Sequence, residues 1–184
     1  MDFSNEQKLI IALLTDIHSK LEIKDGLDPA FVNDKVQSGH TWALRWQYPG
    51  VFSEGYETPS KVRFVVRVLD LWERIEFSVK DLSSDQRTQL AAIAPLHGDN
   101  PKFSGFDGNG GDRDGYSVAH ILIEEMGRWG MFKGRDLNSH TQMSEVYDRM
   151  LNALDRLNKD SSDFSFSLEE LGALLNAKTH PDNR

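Results

Sequence analysis

Apolar positions along the chain fall into blocks separated by proline, glycine and short polar runs. In the first block Leu9, Ile10, Leu13, Leu14, Ile17 and Leu21 recur at helical spacing, which predicts a helix from Ser4 to about Leu21 with one buried stripe. Ser4 with Gln7 three residues on forms a capping-box pattern at its start, and Gly26 closes the following turn. Asp28-Pro29 opens a second helix that ends at Gly39. Beyond it, Trp42 and Trp46 stand one helical turn apart before Pro49-Gly50, and Tyr48, Phe52 and Tyr56 extend this aromatic concentration. Such rings either fill space between helical layers or form a subunit interface, where tryptophan and tyrosine are enriched.

The longest block, Ser60 to about Leu82, carries β-branched residues at Val62, Val66 and Val68 that would suit a strand. Its length decides otherwise, since more than about twenty residues without a turn exceed an ordinary strand. Val62, Val65, Val66, Leu69 and Trp72 trace one helical stripe, while Phe64, Val68, Leu71, Ile75, Val79 and Leu82 trace another. A helix apolar on two sides is flanked on two sides, so residues 60–82 are expected to be the central helix. Arg63, Arg67 and Arg74 share a face with Asp70 between them, the spacing of a solvated, ion-paired surface. A short helix from Ser84 to about Ala94 is stopped by Pro95.

Between Phe103 and Leu154 lies F-S-G-F-D-G-N-G-G-D-R-D-G-Y, an apolar helix from about Tyr116 to Met126, Gly127, and an amphipathic helix entered at Asn138-Ser139. The second helix carries Met143, Val146, Tyr147, Met150, Leu151, Leu154 and Leu157 on one stripe. Gly108, Gly110, Gly111 and Gly115 are expected at positive φ, with Asp112 and Asp114 complementing the next helix's dipole. After a polar linker at 160–163, Ser167 and Glu170 form another capping box before Leu168, Leu171, Leu174 and Leu175. The pattern as a whole predicts an all-α domain of about seven helices over residues 1–184. Residues 1–57 are a candidate subdomain, and the tail 178–184 is expected to fray.

Composition narrows the functions. The 184 residues contain no cysteine, which removes disulfides, thiolate metal sites and cysteine nucleophiles. The formal net charge of −8 opposes non-specific binding to nucleic acid or to an anionic membrane. The longest apolar run, Leu9 to Leu14, is far short of the ~20 residues of a membrane span, and no signal-peptide pattern opens the chain. A cytoplasmic protein with no nucleic-acid and no membrane partner is therefore expected.

Candidate chemistry is sparse. The aspartate-glycine loop suggests calcium, but the twelfth position counted from Asp107 is Val118 and from Asp112 is Ile123, neither of which can ligate. His120 and Glu124, one turn apart, lack a third ligand at known spacing, so neither metal nor cofactor is expected. Ser139 and His140 are adjacent and would point apart in a helix, a poor nucleophile–base pair. Asp107, Asn109, Tyr116, Arg128, Asn138, His140 and Tyr147 could frame a ligand pocket, with an acid, a base and donors drawn from two loops and two helix starts. Equally, Asp107 and Arg128 could be a structural ion pair.

Gly105-Phe-Asp-Gly-Asn109, Tyr116 opening a helix, Gly127-Arg-Trp129, Asn138-Ser-His-Thr141 and Met143, Tyr147, Arg149, Met150 and Leu151 together resemble the YfbU family of small bacterial proteins. The opening S-N-E-Q-K-L-I and the terminal S-x-x-E-L helix are similar to that family's ends. The resemblance implies a compact all-helical fold and carries no activity, cofactor or catalytic residue. The sequence departs from the family in a longer loop after Asn109 and in Gln142, where proline is expected. The leading expectation is a non-catalytic binding or assembly protein, forming a homo-oligomer through Trp42, Trp46, Tyr48 and Phe52. The alternative is an enzyme or small-molecule binder using Asp107, Arg128, Asn138 and His140.

Overall fold

A computed structural model describes residues 2–51, 55, 57–158, 164–180 and 182. Among the described residues there are eight α-helices and no β-strand, so the fold is all-α. The chain divides into two compact units, residues 1–59 and 60–184.

The first unit holds α1 (Asn5–Lys20), α2 (Pro29–Gln37) and α3 (Trp42–Gln47). The expected capping signals operate: Ser4 and Gln7 form a reciprocal capping box on α1. Asp28 Oδ1 accepts from the N–H groups of Ala30 and Phe31 ahead of Pro29. The apolar stripe of α1, however, is not buried. α1 packs on α2 with Lys8, Ile11, Ala12, Thr15 and His18, all half-buried, while Leu9, Ile10, Leu13, Leu14, Ile17 and Leu21 lie exposed on the far side. The inward surface has one large aliphatic side chain, Ile11, and is fixed partly by polar contact, Gln37 donating to the Lys8 carbonyl at 3.2 Å.

The second unit is built on α4 (Ser60–Lys80), the long helix expected from length, which packs with α6 and α7. The unit also contains α5 (Ser84–Ile93), α6 (Arg113–His120), α7 (Ser144–Leu157) and α8 (Leu168–Asn176), with α8 against both α5 and α7. Both stripes of α4 reach the interior: Val62, Val65, Val68, Leu69, Leu71, Trp72, Ile75 and Val79 are buried. An aromatic cluster of Trp72, Phe103, Phe106, Phe132 and Tyr147 forms around them, with Phe103–Phe132 centroids at 5.1 Å and Phe106–Tyr147 at 5.2 Å. The arginine face of α4 is not paired within the helix alone. Arg67 reaches Asp155 of α7 at 2.5 Å, and Arg74 donates to the Phe164 carbonyl and lies over the Phe166 ring. Capping boxes at Ser83/Gln86 and Ser167/Glu170 start α5 and α8.

Three expectations for the stretch 103–154 are corrected. The apolar helix starts at Arg113, three residues early, and its last turn, Ile121–Glu125, winds as a π-helix before Gly127 (φ +66°) ends it. α7 starts at Ser144 rather than at Ser139, because Asn138 and Ser139 are used in an extended bridge to Phe106. The loop glycines 108, 110, 111 and 115 are not at positive φ; they are needed for close approach. A Cβ on Gly115 would lie 2.8 Å from the Phe106 ring. Gly105 (φ +81°) does take the left-handed backbone, where the chain passes against Leu137. Towards the tail, Lys178 and Thr179 are half-buried, with Arg149 donating to the Ala177 and Lys178 carbonyls.

Candidate functional site

Two loops meet in the second unit to form a polar node. The Phe106 N–H donates to the Leu137 carbonyl (2.9 Å) and the Ser139 N–H donates to the Phe106 carbonyl (3.1 Å), so 105–109 and 136–140 run side by side. Asn138 Oδ1 accepts from the N–H groups of Gly108 and His140, both at 3.0 Å, and clamps the two loops together. Asn109 contacts His140 Nδ1 at 3.3 Å, and Asp107 Oδ1 accepts from the Asn109 N–H at 3.0 Å. His140 sits at φ +52°, held there by this turn.

Asp107, Asn109, Asn138 and His140, four of the residues singled out from sequence, are therefore brought together. Tyr116 adjoins them across Gly108, whose position leaves room for the Tyr116 ring. Tyr147 stands apart: it is fully buried in the aromatic cluster, its hydroxyl donates to the Gly105 carbonyl at 2.8 Å, and burial pushes its phenol far above the ordinary value. A group so held supports packing and is unsuited to proton transfer near neutrality. Arg128 is exposed beyond the π turn.

Sequence reading gave Asp112, the most buried carboxylate beside the node, a role at the α6 dipole and missed its partner. Asp112, 1% exposed, does not cap α6. Its Oδ2 accepts instead from the N–H groups of Met143 and Ser144, serving the start of α7 from a loop thirty residues away. An acid at a helix N-terminus satisfies orphan donors and the dipole together. No local spacing signals such a cap, because the partner is distant in sequence.

A 320 Å³ cleft beside the π turn is lined by Tyr116, His120, Glu124, Arg135 and Asp136. Its acids are already engaged: Glu124 accepts from the Gly134 N–H at 2.7 Å and Asp136 from the Asn138 N–H at 2.9 Å. Arg135 is bidentate on Glu76 at 2.9 Å, and His120 faces Glu125 at 3.5 Å. Among the described residues no group of three or more His, Asp or Glu side chains is arranged to hold a metal.

The expected interface aromatics behave differently from one another. Trp42 is buried, edge-on to half-buried Trp46 at 6.0 Å. Tyr48 is half-buried; its hydroxyl accepts from the Asp28 N–H at 3.0 Å and its ring meets Phe31 edge-on. Phe52 and Tyr56 lie outside the described residues. The large accessible apolar surface of this unit is on α1 and the loop after it. Leu9, Ile10, Leu13, Leu14, Ile17, Leu21, Ile23 and Leu27 are between 39% and 66% exposed. Leu14 and Leu27 also border an apolar notch of 190 Å³ completed by Ile11, Thr15, His18, Pro29 and Val32. The packing surface of α1 is instead the second line of smaller or more polar residues at Ile11, Ala12, Thr15 and His18, which the apolar periodicity does not single out.

No helix among the described residues is long and apolar enough to cross a membrane. No curated protein matches the sequence. Among protein families, the one described as YfbU domain matches residues 1–177. Nearly the whole chain, from the α1 cap through α8, is covered by that match, and the protein belongs to the YfbU family.

Proposed function

We propose that this protein is a non-catalytic binding and assembly module whose working surface is the apolar face of α1. One observation carries the reading: α1 turns its more polar side to α2 and its leucines and isoleucines to solvent. Isolated apolar side chains on a surface are ordinary, but a contiguous patch of this size marks a contact site. The polar node supports the same conclusion from the other side. Asp107, Asn109, Asn138 and His140 bond to one another and to the backbone, the arrangement of a structural clamp between loops.

A small-molecule site has one observation in its favour, the π turn lining the 320 Å³ cleft, since such turns gather at functional positions. The engagement of Glu124, Arg135 and Asp136 within the chain favours the docking surface.

The reading is tested by placing a photo-crosslinking residue at Leu13 in cells that produce the chain. A discrete adduct is expected from Leu13, absent from the exposed position Asp85 and abolished by Ile17→Asp. The same adduct should survive Asn138→Ala with His140→Ala. No adduct at Leu13 beyond that at Asp85 would overturn the reading, as would loss of the adduct in the node variants alone.

A further inference from the structure

The chemistry of the α1 face specifies its occupant. We infer that the face is covered by the α1 helix of a second copy of this chain, running antiparallel about a twofold axis near Leu13. The inference rests on the reading of α1 as a docking surface and adds the partner and its direction.

Area is the first argument. The six exposed leucines and isoleucines of this face leave on the order of 600 Å² in water, at the upper end of an ordinary monomer patch and approaching the roughly 800 Å² per partner of a standard interface.

Charge is the second, independent argument. Glu6, Leu13 and Lys20 recur at seven-residue intervals, so they lie along one line of the helix surface. The acid is in the first turn and the base in the last, with Leu13 midway between them and Asp16 at the edge of the face. Two such helices placed parallel would set Glu6 against Glu6 and Lys20 against Lys20. Placed antiparallel, each Glu6 meets the Lys20 of the partner, and the midpoint of the line, Leu13, meets its own copy. A contact of this kind is isologous and closes at two copies. The net charge of −8 opposes association in general, so the local match must supply direction as well as attraction. Glu6 on the face also counts against an anionic lipid surface as the occupant.

Charge exchange tests the inference by sedimentation equilibrium of the full chain at micromolar concentration. Wild type is expected to be a dimer, and Leu13→Asp a folded monomer by circular dichroism. Glu6→Lys and Lys20→Glu alone should each weaken the dimer about tenfold, because two attractive pairs become repulsive. The double exchange should restore it. Rescue is diagnostic, since within one helix both exchanges oppose the dipole and their effects would add. A dimer lost in Leu13→Asp but not rescued by the double exchange would overturn the antiparallel pairing and leave the docking reading standing. A wild-type monomer that floats with phosphatidylcholine–phosphatidylglycerol vesicles would overturn the second copy in favour of a membrane. A monomer that neither floats nor gives the Leu13 adduct would overturn both.

Discussion

α1 and α7 are both amphipathic helices of similar length, and the chain treats them in opposite ways. α7 turns Tyr147, Met150 and Leu151 into the aromatic cluster of its unit, where they are buried. α1 buries none of its residues and holds its leucines in water. One pattern of apolar spacing thus supports two outcomes. Where neighbouring segments of the same unit cover the stripe, it becomes core; where they do not, it stays in water.

The comparison is sharpened most strongly by truncating one residue from each region. Phe106→Ala removes a fully buried ring that touches Phe64, Phe103 and Tyr147, and should cost about 3–5 kcal/mol in chemical denaturation. Leu13→Ala, measured dilute enough to be monomeric, should change stability by less than about 0.5 kcal/mol. Similar losses at both positions would break the contrast between the helices.

Asp112→Ala leaves the first N–H groups of α7 without their acceptor and should cost about 2 kcal/mol, with faster amide exchange at the start of α7. Unchanged exchange there would mean that α7 does not depend on the loop. Ser167→Ala should lower stability by about 1 kcal/mol through loss of the α8 capping box, and an unaltered melting curve would reject that cap.

The smallest effect is in pH. Burial, with the nearby Lys178 ammonium, holds the His97 imidazole below its ordinary value of 6.5. The folded state therefore binds fewer protons than the unfolded chain just below that pH, and stability should fall as pH drops through that window. His97→Gln, which keeps a partner for the Thr179 hydroxyl, should flatten this part of the pH–stability curve. An unchanged slope would remove His97 as its source.

These particulars show what was legible beforehand. Every helix supported by a local signal was readable: the Ser4, Asp28 and Ser167 caps, the length of 60–82, and the Pro95 stop are all decided within a few residues. Asp107, Asn109, Asn138 and His140 belong to the wider set read as a pocket frame for its acid, base and donors from two loops and two helix starts; they lie together as a clamp between loops. What was hidden depends on distance along the chain. The capping of α7 by Asp112, and the bridge that takes Ser139 out of the helix, join segments about thirty residues apart. The direction of α1 was hidden for another reason: periodicity gives the width of an apolar face but not which neighbour, if any, covers it.

The absence of cysteine makes the central claim directly measurable. Leu13→Cys and, as a control on a more exposed apolar residue of the other unit, Leu96→Cys each give a single thiol for mild oxidation at micromolar concentration. The account predicts rapid conversion of Leu13→Cys to a disulfide-linked dimer, with Leu96→Cys remaining monomeric. Equal and slow crosslinking of the two variants, with the Leu13→Cys thiol open to maleimide at the rate of a free surface cysteine, would contradict it.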